Sequence, residues 1–331
     1  MKFIVGSKDP KVKELIGTAV LHHQNQVNPA DLEAKGKPLV LLIDSDIVAY
    51  RCSATTDGRV YLLPDGSTTA YKKDAIARCE ARGLDKEAIK QDFKPEPPES
   101  ANLNVRKLLR TFKGIFSTPV KMEHYLTPKV VFRNDLESGY KQNRKNMRRP
   151  ANLGSTKLYL QQEHGATVVE GYEADDLIGI RAVSLMKDDD IIPIIVTLDK
   201  DLDTIPGYHY NWTKGCLYYI TDNEARLCLY KQMLTGDKVD NIPGLNKVGP
   251  KTADRIMKEF DGSDEYAMYN TVLAEYLNRT ERIEGETEEE FISRVIKRLS
   301  TTARLLYILH EPGEVWVPPV QVTPETEEAK Q

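Results

Sequence analysis

Pro38-Leu-Val-Leu-Leu-Ile-Asp-Ser-Asp46 decides how the rest of the chain is read. An unbroken apolar run from Leu39 to Ile43 is the mark of a strand buried on both faces, as in a parallel sheet covered by helices. It ends at Asp44, and a helix through Tyr50 follows. Working outward, Ile194–Leu198 is a second buried strand, with Pro193 at its first residue or an edge. Thr167–Val169 and Val130–Phe132 read as short strands. Leu103, Leu108, Leu109, Phe112 and Phe116 recur at helical spacing over 102–116, and further helices are expected near 155–163 and 174–186. Two hairpins are expected: Arg59–Tyr71 around Asp65-Gly66, and Tyr208–Ile220 around Thr213-Lys-Gly215. From Asp222 the chain reads helical. Strands alternating with helices predict an α/β fold, a three-layer, mostly parallel central sheet followed by a helical unit.

The chain has 331 residues, a soft prior of two folding units at about 150 residues each. The expected division is an extension over 1–36, with a short helix at Lys11–Leu21, an α/β unit over 37–221, a helical unit over 222–322 and a polar tail over 323–331. The extension and the charged stretch 72–100 carry no functional signal. With 40% hydrophobic and 29% charged residues, the composition is that of an ordinary globular chain rather than a disordered one. No run approaches the roughly 18 apolar residues of a membrane span. Met1–Pro10 lacks a signal peptide's apolar core. Cys52, Cys79, Cys216 and Cys228 show neither zinc spacing nor a Cys-x-x-Cys pair, which predicts a reduced, cytoplasmic protein. The net charge of −4 speaks against a nucleic-acid binder only if it is evenly spread, and it is not.

Acids cluster where strands end, the place where open α/β sheets bind ligands. Asp44 is one. Asp199, Asp201 and Asp203 lie in Thr197-Leu-Asp-Lys-Asp-Leu-Asp203. Glu173-Ala-Asp-Asp176 opens a helix, with Glu173 and Asp176 on one face and Asp175 turned away unless the helix begins within the motif. Gly236-Asp-Lys-Val-Asp-Asn241 sets Asp237 and Asp240 three apart. Singly, each acid is more economically a helix cap, a dipole partner or a turn residue. Together, beside apolar strands, they would repel one another severely. Divalent cations resolve that conflict. Mg²⁺ or Mn²⁺ prefers carboxylate oxygens, and two ions about 4 Å apart can activate water and stabilise the leaving oxygen of a phosphodiester. The chain lacks an EF-hand loop and a P-loop, which disfavours calcium binding and NTP hydrolysis.

The most basic window holds Arg133, Lys141, Arg144, Lys145, Arg148 and Arg149 against only Asp135 and Glu137. Most charge runs are solvated helix faces. The scarcity of acids and the adjacent Tyr140 favour a clamp, in which the cations meet phosphates and the ring stacks on a base. Asn241-Ile-Pro-Gly-Leu-Asn-Lys-Val-Gly-Pro-Lys-Thr-Ala253 reads as a turn and then a helix from about Pro250. There Lys247, Lys251 and the backbone at Val248, Gly249 and Thr252 would meet a phosphate without reading sequence. The plain alternative is a connector between two helices.

Leu42-Ile-Asp-Ser-Asp46, Phe132-Arg…Tyr140-Lys-Gln-Asn-Arg144, Glu173-Ala-Asp-Asp176, Thr197-Leu-Asp-Lys-Asp-Leu-Asp203 and Gly236-Asp…Asp240-Asn-Ile-Pro-Gly244 together resemble the 5′-nuclease (flap endonuclease-like) superfamily. They occur in family order from about Pro38 to Pro318, skipping 55–100, and are most like the 5′→3′ exonucleases of short-tailed phages. The resemblance implies one metal site at Asp44, Glu173, Asp175 and Asp176, and another at Asp199, Asp201, Asp237 and Asp240. Mg²⁺ is the implied ion at both, and Mn²⁺ can substitute. It implies a helical arch over about 133–165, from which Lys141 and Arg144 reach the scissile phosphate while Tyr140 stacks on a nucleobase. It implies a helix–three-turn–helix over 236–260 that grips duplex DNA, with K⁺ bound. Two positions depart from the family. An Asp usual shortly before Phe-Arg is absent from Tyr125-Leu-Thr-Pro128, leaving Thr127 or water in its place, and Lys247 stands where the turn usually has Gly.

The reading is a metal-dependent 5′→3′ exodeoxyribonuclease acting on duplex DNA with free 5′ ends and leaving 5′-phosphate and 3′-hydroxyl groups. It implies a monomer in the cytoplasm, the host's if the chain is phage-encoded, with replication proteins as partners and roles in DNA replication, recombination or host-DNA degradation. A flap endonuclease or remover of RNA primers from RNA–DNA hybrids would use the same chemistry. A DNA-end-binding protein would have lost the carboxylates, and a PIN-like ribonuclease would not need the 236–260 element.

Overall fold

A computed structural model describes residues 25–320; the helix expected at Lys11–Leu21 and the tail 323–331 lie outside the described residues. After a short helix α1 (Pro29–Glu33), strand β1 (Leu39–Asp44) is buried at every residue. Its terminal Asp44 caps helix α2 (Ser45–Ala54) by accepting from the Ile47 amide at 3.2 Å.

Strands β2 (Asp57–Leu62) and β3 (Thr68–Thr69) form the first expected hairpin. The charged stretch that follows is structured. Helix α3 (Lys72–Arg82) and strand β4 (Lys90–Pro95) complete a three-stranded antiparallel sheet ordered β3-β2-β4. Their pattern is faint because α3 buries only the small Ala75 and Cys79, and within β4 only Phe93 is even half-buried.

Helix α4 (Pro98–Lys113) precedes β5 (Val120–Tyr125), which pairs in parallel with β1 so that Asp44 lies opposite Tyr125. This corrects the strand expected at Val130–Phe132, where Val131 makes only an isolated bridge to Gly171. The true strand was hidden because β5 is an edge, where Lys121, Glu123 and His124 break the apolar run. The stretch 133–165, expected as a helical arch, holds α5 (Arg133–Leu136), a 3₁₀ turn at Gln142–Arg144 and helix α6 (Leu153–His164). Thr167 bridges Tyr125 without forming a strand.

Helix α7 (Ala174–Met186) lies where expected and leads to β6 (Ile192–Val196), β7 (Gly207–Asn211) and β8 (Cys216–Ile220). The sheet order is β5-β1-β6-β7-β8, parallel except for β8. Pro193 sits in a central strand. Ile192 donates toward the β1 side, to the Pro38 carbonyl, so the missing Pro193 N–H faces the β7 side, where pairing begins only at Ile194.

Leu39, Leu41 and Ile43 pack with Ile192, Ile194 and Val196 against α2, α4 and α6, while Val40, Leu42 and Ile195 pack against α7. That alternation is what period two across a sheet covered on both faces requires.

The remainder holds α8 (Asp222–Thr235), the two-residue strands β9 (Gly236–Asp237) and β10 (Ile242–Pro243), α9 (Pro250–Ile256), α10 (Glu265–Arg279) and α11 (Glu288–Leu306). It is not helical throughout. At the β9–β10 ribbon, Gly236 has φ 63°, and a Cβ on Gly244 would fall 2.1 Å from the Thr235 carbonyl carbon. Beyond Leu306 the chain leaves helix and returns to α7, where the Leu309 amide donates to Asp176 at 3.3 Å. Helices α8, α10 and α11 enclose a further core that takes in Val131 and, from the basic window, Tyr140.

Candidate active site

Three carboxylates, Asp44, Asp175 and Asp199, are electrostatic neighbours beyond the ends of β1 and β6. Asp44 is 3% exposed and accepts from the Thr197 hydroxyl at 2.9 Å as well as from Ile47. Burial, with Asp46 and Asp199 nearby, pushes its carboxyl up to about 7. Asp175 is raised well above the usual range by burial, then by Asp44, Asp199 and Glu173, with Lys141 only partly offsetting them. Helix α7 begins at Ala174, inside the acidic motif, and so Glu173 is extended and Asp175 is free of the helical face that Asp176 occupies.

Asp199 links this trio to a second group. The Asp201 amide donates to the Asp199 carboxylate at 3.0 Å, and the Asp201 carboxylate accepts from Gln232 at 2.9 Å. Burial, Asp199 and Asp237 push Asp201 up to about 9. Asp237 is buried and accepts from the Val239 amide at 2.6 Å. The carboxylates therefore form a chain through Asp199 rather than two closed sets of four.

Asp176 departs from its expected role as a ligand. It is fully buried and binds the Arg133 guanidinium through both oxygens, at 2.6 and 2.8 Å. It also accepts from the Glu173 and Leu309 amides. Arg133, 3% exposed, further donates to Glu173 and to the carbonyls of Leu305 and Tyr307. The pair ties α7 to the end of α11.

The basic window is folded onto the acids. Lys141 contacts Glu173 and Asp240, Arg144 pairs with Asp240, and Arg148 pairs with Asp57. Burial pushes Glu173 up, but Lys141 and Arg133 outweigh it and hold its carboxyl below the usual range. Tyr140, expected to stack on a base, is 4% exposed and donates its hydroxyl to Glu173 at 2.8 Å. Its ring belongs to the helical core. Lys145 and Arg149 are exposed and make no ion pair among the described residues.

In the 236–260 element, α9 starts at Pro250 as expected, with Lys247 and Lys251 exposed beside it. Lys247 takes φ 59°, the left-handed conformation that suits the usual glycine. The amide contacts expected at Val248 and Thr252 are already used, on the Leu245 and Gly249 carbonyls, which leaves Gly249 and Lys251.

Thr127, at the position of the missing Asp, accepts from the Ala174 amide at 3.0 Å and fixes the start of α7. Sequence reasoning assigned nothing to Arg133 individually, nor to Thr197 or Gln232. A neutral donor beside an acidic motif gives no periodic signal, although Arg133 sat within the quoted Phe-Arg pair.

Among the described residues no three Asp, Glu, His or Cys side chains converge closely enough to hold an ion by themselves. Mg²⁺ demands less, since it keeps several waters and is held through one or two carboxylates. Hard oxygens at buried Asp44 and half-buried Asp175 and Asp199 that repel one another fit such an ion.

No family model matches the chain. It is 32% identical over 160 residues to a 5′-3′ exonuclease of Buchnera aphidicola subsp. Baizongia pistaciae, covering 44% of this chain and 51% of that one. The 5′-3′ exonuclease of Bacillus subtilis is 32% identical over 152 residues, 40% of this chain and 50% of that one. DNA polymerase I of Caldicellulosiruptor bescii is 30% identical over 182 residues, 49% of this chain and 20% of that one. The chain thus matches about half the length of these exonucleases. Among solved structures, T5 5′-exonuclease with divalent zinc aligns at 15% identity over 81% of this chain and 89% of that one, with a TM-score of 0.47. Among the described residues no helix is long and apolar enough to cross a membrane.

Proposed function

We propose that this chain, a member of the 5′-nuclease (flap endonuclease-like) superfamily by its motifs and sequence relatives, is a divalent-metal-dependent 5′→3′ exodeoxyribonuclease. Its substrate is duplex DNA with a free 5′ end, and its products carry 5′-phosphate and 3′-hydroxyl groups. The observation that carries this reading is the Asp44, Asp175 and Asp199 trio beyond two parallel strands, in which burial and the neighbouring acids raise the pKa of Asp44 and Asp175. Asp44, Asp175, Asp199 and Asp201 would hold Mg²⁺ or Mn²⁺, which when bound supplies an activated water and charge neutralisation at the phosphodiester.

The protein's own groups do the rest. Thr197 and the Ile47 amide fix the Asp44 oxygens, and Arg133 and Thr127 fix the start of α7. Lys141 and Arg144 exchange their carboxylate partners for phosphate oxygens and stabilise the negative charge that grows there. Lys145, Arg149, Lys247 and Lys251 neutralise the DNA backbone without reading bases.

Duplex DNA labelled at the 5′ end, beside a twin labelled at the 3′ end, tests the reading in Mg²⁺ and in EDTA. The expected result is early release of labelled mononucleotide from the 5′ end only. It should be abolished by EDTA and reduced at least about 100-fold by Asp175→Asn. Release of oligonucleotides from flapped substrates alone would make the protein a flap endonuclease. Binding without cleavage in any divalent metal would leave a DNA-end-binding protein.

A further inference from the structure

The insert over β2–β4, which the sequence left without a role, walls a cleft of about 520 Å³ against the far end of α2 and the close of the basic window. Tyr50 comes from α2 and Thr55 from its C-cap, Arg59 and Phe93 from the insert, and Arg148 from the window. Arg148 is built in rather than dangling. Buried Asp57 binds its guanidinium and also accepts from the Ala151 amide at 3.2 Å. The guanidinium lies 3.4 Å from the Phe93 ring centroid, so the ring backs one side of it. Its side chain is 43% exposed and lines the cleft. Arg59 is exposed and makes no ion pair among the described residues, which leaves the cleft a positive charge once Asp57 is spent on Arg148.

We propose that this cleft holds one nucleotide of single-stranded DNA flanking the duplex end, its base stacked on the Arg148 plane and its phosphate against Arg59. Guanidinium planes and aromatic rings are the common platforms for unpaired bases, and cations in the same groove hold the backbone. An apolar peptide would have little use for two arginines in a cleft of this size. The placement suits a DNA strand leaving the active site. Tyr50 and Thr55 lie about 9 and 16 Å along α2 from Asp44 at 1.5 Å per residue, roughly three to five nucleotide steps at 3.4 Å. The subsite rests on the nuclease reading above.

The test uses the full chain in EDTA and fluorescence anisotropy with three duplexes: blunt, with a five-nucleotide 5′ overhang, and with a five-nucleotide 3′ overhang. The wild type should bind at least one overhang duplex about tenfold more tightly than the blunt one. Arg59→Glu should bring that ratio close to one, while Arg59→Lys should keep most of it. Lys73→Glu, the same charge change on an exposed α3 residue outside the cleft, should weaken all duplexes alike and keep the ratio. Equal wild-type affinities, or a ratio lost as fully in Lys73→Glu as in Arg59→Glu, would overturn the subsite while leaving the nuclease reading intact. A chain that binds no DNA at all would overturn both.

Discussion

Asp44 ends a strand, caps a helix and sits among like charges, and these positions pull its protonation in one direction. Buried carboxylates at about 7 for Asp44 and about 9 for Asp201 hold protons in the folded state that an unfolded chain, with Asp near 4, gives up. Between about pH 4 and these folded values the folded state binds more protons than the unfolded one, so the stability these groups add at low pH is lost progressively from about pH 4 up to about 7 for Asp44 and 9 for Asp201. The metal-free protein should therefore show a Tm contribution that falls between about pH 4 and 9. Mg²⁺ should lift Tm most at the alkaline end, where the cation does what the protons did, and Asp201→Asn should flatten part of the fall. A Tm that is level over this range in EDTA and unmoved by Mg²⁺ would remove the electrostatic case for a cation. Arg133 has the opposite problem. Removing it in Arg133→Met would strand Glu173 and Asp176 as buried charges, a loss of about 3–5 kcal/mol, measurable as a lowered urea midpoint.

At the scale of elements, the 236–260 segment shows what the backbone demands. Lys247 holds a left-handed conformation that costs a Cβ-bearing residue about 1 kcal/mol or more. Lys247→Gly should raise stability by about 0.5 kcal/mol, after allowing for the freer unfolded chain, and should weaken duplex binding by removing a phosphate contact. Both changes can be read on the same variant by denaturation and by anisotropy. Gly244→Ala should act the other way, because its Cβ would enter the Thr235 carbonyl carbon at 2.1 Å. The same scale explains what could be read from the sequence. Buried β1 and β6 announce themselves as apolar runs, and α9 by Pro250, because burial and φ restriction leave local marks. Strand β5 does not, since one face of an edge strand tolerates Lys121 and Glu123, and neither does α3, whose core is only Ala75 and Cys79. The acids of the candidate site were legible as motifs. Their division was not, because whether Asp176 faces the trio or Arg133 depends on a partner 43 residues away.

Across the whole molecule, the basic window and the acidic centre partly neutralise each other through Lys141 on Glu173 and Asp240 and Arg144 on Asp240. The segments 139–144 and 238–241 are clasped by more than charge. The Lys141 amide donates to the Asp240 carbonyl at 2.9 Å, Asn143 to the Lys238 carbonyl at 2.9 Å, and Asn241 to the Gly139 carbonyl at 2.7 Å. With the clasp shut, Lys141, Arg144 and Arg148 are committed to carboxylates, leaving Lys145, Arg149, Lys247 and Lys251 for phosphates. Each neutralised phosphate contributes about −0.9 to the slope of log K against log salt. Four such cations give a slope of about −4, and release of Lys141 and Arg144 would steepen it to about −5. Duplex binding measured in EDTA should therefore follow the shallower line. Asp240→Asn, which removes the carboxylate shared by Lys141 and Arg144, should move the protein toward the steeper one. Identical slopes for the two proteins would mean that the clasp does not govern which cations reach the DNA.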